Sequence, residues 1–295
     1  MKALLYLKYK QRGAILNAWN SIISPEQYYN ETSPTSSIVI EQVISILAPS
    51  KFKNGHLKVI GGKKMVGGGW DGSYVIPQFF LRNLKLYLIS AGIDKNNQFE
   101  IEIANYGING IQIDNSIDQP PQNHINLKFI RKTLCGQDTH NSISLKTLIS
   151  KCPKNLRLLV KLDIEGSERN SLLSLNLEDL RRIEILILEI HDLSRLFEIP
   201  DILKMLTHLK SAGFRSIFVK PNNRVLTYNI GGYLIPDCIE ITFVNQIFTQ
   251  KPNLEDIVKI KKLITPNDLS KAQINIDHIL YRHAEQKSKI KRLAG

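Results

Sequence analysis

Arg157-Leu158-Leu159-Val160-Lys161-Leu162-Asp163-Ile164-Glu165-Gly166-Ser167-Glu168 is a near-continuous apolar run that stops at three closely spaced carboxylates. A run of this kind marks a central strand covered by helices on both faces. Alternation puts Lys161 and Asp163 on one side of the strand. The acids that follow suit a strand-to-helix turn, because the helix dipole favours anions at its start. With a helix predicted from Ser167 to Leu175, the stretch makes part of a βα unit in an open α/β sheet.

Outward from there the pattern repeats. Ile183 to His191 is a second apolar run of the same type, and shorter strands are predicted at Lys85 to Ser90, Gly110 to Asp114, Leu127 to Thr133, Ser216 to Lys220 and Ile239 to Asn245. With Arg157 to Asp163 these make seven, enough for a doubly wound, Rossmann-like sheet of the methyltransferase kind. A helix from Ile199 to Ala212 ends at Gly213, as helices often do.

The flanks read differently. Residues 1–60 form an irregular, partly helical lead or cap: Ala14 to Trp19 is apolar, Ser33 to Ser37 breaks it, and Ile38 to Leu47 resumes helical spacing. Residues 61–248 hold the α/β domain. Residues 249–295 form a basic helical tail whose stripe of Leu269, Ala272, Ile276, Ile279 and Leu280 predicts a docked helix.

Composition narrows the class. Hydrophobic residues are 43% and charged residues 22% of the chain, which fits a globular fold. Cys135, Cys152 and Cys238 lie far apart with no paired spacing, so neither a disulfide framework nor a zinc site is indicated. No stretch reaches the roughly 20 apolar residues of a membrane span, and a cytoplasmic location is expected. The net charge is +12, and ten Lys or Arg face five Asp or Glu between Lys251 and Gly295. Such an excess suits an anionic partner, but no nucleic-acid motif accompanies it.

In an open α/β sheet ligands bind beyond the carboxyl ends of the strands, near the point where strand order reverses. The first strand leads into Ser90-Ala91-Gly92-Ile93-Asp94, with Phe99-Glu100 opening a helix. The glycine either makes a tight turn or lets backbone approach a ligand. The second strand ends at Asp114, about twenty residues on. An acid there accepts ribose hydroxyls or caps the turn from Asn115 to Asp118. The fifth strand ends in Glu189-Ile190-His191-Asp192, with Glu189 and His191 on one face. His191 beside the neighbouring strand's Asp163 reads either as base and partner or as a structural histidine. Trp70 and Tyr74, after the glycines at 67–69, line a substrate pocket or plug an ordered loop.

The ordered set Asp71-Gly72-Ser73-Tyr74-Val75, Ser90-Ala91-Gly92-Ile93 through Phe99-Glu100, Gly110 to Asp114, Lys161 to Glu168, Glu189-Ile190-His191 and Pro236 to Phe243 resembles FkbM-like methyltransferases. The resemblance runs from about Gly61 to Gln246, and Lys-x-Asp-Ile-Glu-Gly-x-Glu is its most specific part. It implies S-adenosylmethionine as cofactor. By it, Ser90, Gly92 and Asp94 belong to the cofactor loop, with Gly92 at the methionine end. Asp114 meets the ribose, and Asp163 and Glu165 form the floor of the reaction site. Asp71, Tyr74 and Glu189 face the substrate. The chain departs from the family where Asp94 replaces a second glycine and Gly72-Ser73 replaces a glycine pair.

The expectation is O-methyl transfer to a hydroxyl of a sugar, glycan or natural product, with His191 as base and Asp163 orienting it or the acceptor. No metal is assigned; an ion held by Asp163 and Glu189 is a variant of the same reading. The rival, prompted by Asp94 and Ser73, is a non-catalytic basic protein that binds an anionic polymer. A nicotinamide-dependent oxidoreductase is a third reading, against which stands the absence of Gly-x-Gly-x-x-Gly after the first strand.

Overall fold

The computed structural model describes residues 34–64 and 70–283. The lead through Ser33, the glycines at 67–69 and the basic end from Lys287 to Arg292 lie outside the described residues, as do the side chains of Trp70 and Asp71.

Seven strands form the central sheet: β1 Leu86–Ala91, β2 Asn109–Ile113, β3 Leu127–Ile130, β4 Arg157–Leu162, β5 Ile183–Ile190, β6 Phe214–Pro221 and β7 Ile239–Asn245. Their order is β3-β2-β1-β4-β5-β7-β6. The first five pair in parallel, whereas β7 runs antiparallel to both β5 and β6. Strand order reverses between β1 and β4, which makes their carboxyl ends the switch point of a Rossmann-like fold. The dinucleotide-binding order 3-2-1-4-5-6 has no strand between the fifth and sixth; here β7 occupies that place.

The helices are α1 Pro34–Leu47, α2 Gln78–Asn83, α3 Gln98–Asn105, α4 Leu145–Lys151, α5 Glu168–Leu173, α6 Leu177–Arg181, α7 Ile199–Ser211, α8 Leu254–Lys261 and α9 Asp277–Leu280. Each face of the sheet carries its own apolar layer. On one, Ile89, Val160 and Leu188 pack with Ile44 of α1, Leu148 of α4 and Leu206 of α7. On the other, Leu88, Leu159 and Ile187 pack with the antiparallel hairpin Leu57–Lys64 and Trp70–Pro77, with Phe80 of α2 and with Phe99 of α3. Phe80 is fully buried, its ring edge-on to Phe52 and Phe248 at 5.2 and 4.9 Å. Removing a ring from such a site costs about 3–5 kcal/mol.

All seven predicted strands are present, and three expectations are corrected. Helix α1 starts at Pro34 instead of after a break at Ser37, because proline at a first helical position needs no partner for an N–H it lacks. The run from Leu127 to Thr133 divides: Ile130 ends β3, and Thr133–Cys135 pairs with Ser142–Ser144. The stripe from Leu269 to Leu280 is helical only over Asp277–Leu280. Asp268 accepts bonds from the Ser270 amide and hydroxyl, and Asn223 and Asp268 bond each other, so side-chain turn chemistry outcompetes the helix there. Ile276, Ile279 and Leu280 still reach the core, whereas Leu269 is exposed.

Candidate functional site

Side chains on the face packed by the hairpin change character along each strand. Leu88, Leu159, Ile185, Ile187 and Val244 are apolar. Toward the carboxyl edge of the parallel strands the same face carries Gln112, Ser90, Lys161, Glu189, Glu240 and Lys220, all buried. Register sets them in two rows, Gln112-Ser90-Lys161 and Glu189-Glu240-Lys220, with Ile187 and not Glu189 opposite Lys161. Apolar residues of similar size are commonly as stable as buried ion pairs. A buried row of this kind therefore points to function.

Lys220 donates to Glu240 at 2.9 Å, and Asn267, from the segment after α8, donates to the other oxygen at 2.8 Å. Glu189 accepts from Asn222 and from the Cys238 thiol, each at 2.9 Å. Burial, reinforced by the charges of Asp163 and Glu240, pushes Glu189 well above the usual carboxylate range.

At the switch point the β1 loop and the end of β4 are locked together. Gly92 has φ of +82°, and a β-carbon on it would lie 1.7 Å from the Asp163 carbonyl oxygen. The backbone that requires this glycine is thus the chain's own. Lys161 donates to the Gly92 carbonyl at 2.6 Å and stands 3.7 Å from Asp163. The Tyr74 hydroxyl donates to Asp163 at 3.2 Å. Burial, and then the charge of Asp163, raises the Tyr74 phenol well above its ordinary range, so it stays a donor.

Asp114, at the end of β2, reaches back into the same loop. One oxygen accepts from the Ile93 and Asp94 amides at 2.9 Å each, and the other from the Ser116 amide. Burial works to raise its pKa, but these bonds prevail and the carboxyl is lowered. Asp94 has φ of +46°, the left-handed conformation in which glycine is commonest and Asp is tolerated. Its departure from glycine leaves the turn intact.

His191 follows β5 directly. Its Nε2 lies 3.6 Å from Glu165 and its Nδ1 3.4 Å from Glu168. Burial alone would lower its pKa, but the carboxylates of Glu168, Glu189 and Glu165 outweigh that and raise it to about 10. Glu168 is itself buried and accepts from the Ile164 amide at 2.8 Å. Arg169 braces the next residues through the His191 carbonyl, Asp192 and Glu198. Asp94, Glu165 and Asp192 are the three non-glycine residues with left-handed φ among the described residues. They follow β1, β4 and β5, and strain of this sort concentrates at functional sites.

The expected residues fall into two groups. Asp163, Glu165, Glu189 and His191 come together, with Tyr74 joined through Asp163; Gly92, Asp94 and Asp114 surround the β1 loop. Ser90 stands apart, fully buried with its hydroxyl 2.5 Å from Glu100. Asp71 lies on the hairpin, its side chain outside the described residues. Lys161, Glu168, Cys238, Glu240, Lys220 and Asn267 were not expected as site residues. A charge inside Ile239-Glu240-Ile241 was the available signal for Glu240; Asn267 carried none. Two donor sets have atoms within 4.8 Å of one another, Asp163 with Glu165 and His191, and Glu189 with His191 and Cys238.

No family model and no curated protein matches the chain. Among the described residues no helix is long and apolar enough to cross a membrane.

Proposed function

We propose that the chain is an S-adenosylmethionine-dependent methyltransferase acting on a hydroxyl of a sugar, glycan or natural product. The observation that carries this reading is the acidic floor at the switch point. Asp163, Glu165, Glu168 and Glu189 gather around His191 beside the Gly92 loop. Clustered carboxylates favour a cationic sulfonium and disfavour the pyrophosphate of a dinucleotide. These are also the residues in which the sequence resembles FkbM-like methyltransferases.

Bound there, S-adenosylmethionine supplies an electrophilic methyl group. Gly92 and Asp94 hold the loop against its methionine end. Asp114 would accept the ribose hydroxyls beside the loop amides that it already holds. The chain's remaining task is to place a hydroxyl in line and remove its proton. In the protein alone the surrounding carboxylates raise the His191 ring to about 10. A cationic sulfonium bound beside it would lower that pKa, since like charges disfavour one another. As neutral imidazole it accepts the hydroxyl proton, with Asp163 orienting the ring or the acceptor and Tyr74 fixing Asp163.

Transfer of labelled methyl to a panel of hydroxylated sugars and natural products tests the reading. Wild type is expected to label at least one acceptor and His191→Ala to lose most of that turnover. Near wild-type turnover in His191→Ala would remove the base assignment. Labelling of none, with cofactor binding demonstrated, would remove O-methylation.

A further inference from the structure

We propose that Asp163, Glu165 and His191 form a binding site for a first-row divalent metal ion. The three offer two carboxylates and an imidazole whose donor atoms lie within 4.8 Å of one another. Nitrogen and oxygen donors bound to one such ion at about 2.0–2.2 Å stand roughly 3.0–3.5 Å apart. His191 Nε2 is already 3.6 Å from Glu165 Oε2. Glu165 is the most exposed of the set, its side chain 67% accessible, so a shift of that side chain toward the ion leaves the core in place.

The surroundings of the imidazole are those of a ligand. A metal-bound histidine turns its second ring nitrogen to a carboxylate or carbonyl, which fixes tautomer and orientation. Here Nδ1 faces Glu168 Oε1 at 3.4 Å, and Glu168 is held in place by the Ile164 amide. Nδ1 is fully buried, and its contact there is this ion pair with Glu168. Nε2 is therefore turned to Glu165 while Glu168 waits behind the ring. Asp163 is oriented by the Tyr74 hydroxyl.

Two carboxylates and one imidazole suit manganese, iron, cobalt or zinc better than calcium or magnesium. The alternative set, Glu189 with His191 and Cys238, is already satisfied internally, because the Cys238 thiol donates to Glu189. An ion on Nε2 uses the lone pair that proton transfer needs. Metal binding and the base role of His191 are thus exclusive states of one site, and binding itself does not depend on the methyl-transfer reading.

Titration of the chelator-stripped full chain with Co²⁺, followed by visible absorption, tests the site. The expected result is one Co²⁺ per chain with ligand-field bands, both lost in Glu165→Gln and His191→Gln. Glu168→Gln should weaken binding by about 10–100-fold, the usual effect of losing an outer partner. Glu165→Gln changes an exposed side chain and should keep the wild-type melting temperature, so it decides the matter if His191→Gln does not fold. The proposal is overturned if wild type binds no Co²⁺, or if Glu165→Gln binds it as tightly. It is also overturned by an intense thiolate charge-transfer band that Cys238→Ser abolishes, since the ion would then sit on the other donors.

Discussion

The carbonyl oxygen of Asp163 occupies the place that a β-carbon on Gly92 would need, at 1.7 Å. The loop after β1 and the end of β4 are thereby fitted to each other, and Lys161 fastens them from below through the Gly92 carbonyl. Gly92→Ala must relieve both the clash and an unfavourable φ. It is expected to lose more than about 2 kcal/mol in denaturant unfolding. Wild-type stability in this variant would contradict the close approach.

The pair Lys220 and Glu240 is buried on both sides. Lys220→Met leaves Glu240 with one amide donor and no counter-charge, and should cost about 3–5 kcal/mol. The double change Lys220→Met with Glu240→Leu should recover much of that loss, because two apolar side chains need no partner. Unfolding of the two single variants and the double variant measures the coupling. A double variant no better than the sum of the singles would show that the pair acts independently.

Asp114 is lowered below its ordinary value of 3.8. A group lowered on folding contributes stability above its unfolded pKa and loses it as pH falls through the folded value. Asp114→Asn should therefore be less stable than wild type by about 1 kcal/mol near neutral pH. The difference should shrink as pH is lowered below the carboxylate range. Melting curves across that range check the sign; a difference that grows on acidification would reverse it.

The three cysteines are free. Burial raises the Cys152 thiol to about 11 and, aided by the Glu189 charge, the Cys238 thiol well above its usual range. Only thiolate reacts readily, so Cys135, which is partly exposed, should be the one thiol modified quickly in the native protein. A thiol-reactive dye should count one before and three after denaturation. Fast modification of Cys152 or Cys238 would mean that their surroundings are open.

The sheet was legible because its strands announce themselves. Ile183 to Ile190 and Leu158 to Leu162 are apolar without alternation, and each observed β strand lies within a few residues of its predicted span. That His191 could reach Asp163 was legible because each directly follows a long apolar strand, and alternation put Glu189 on the same face as His191. The part played by Lys220, Glu240 and Asn267 was hidden. It depends on β7 entering between β5 and β6, a pairing between distant segments that local pattern does not encode. The segment after α8 misled for a different reason: Asn267, Asp268 and Ser270 spend their side chains on turns, while the apolar spacing around them mimics a helix.

Isothermal titration of the chelator-treated chain with S-adenosylmethionine, S-adenosylhomocysteine and NADH tests the proposed cofactor site most directly, with Asp114→Ala as control. One molecule of either adenosyl ligand per chain, weakened in Asp114→Ala, and no uptake of NADH is the predicted result. Binding of NADH alone, or of none of the three, would contradict the methyltransferase reading.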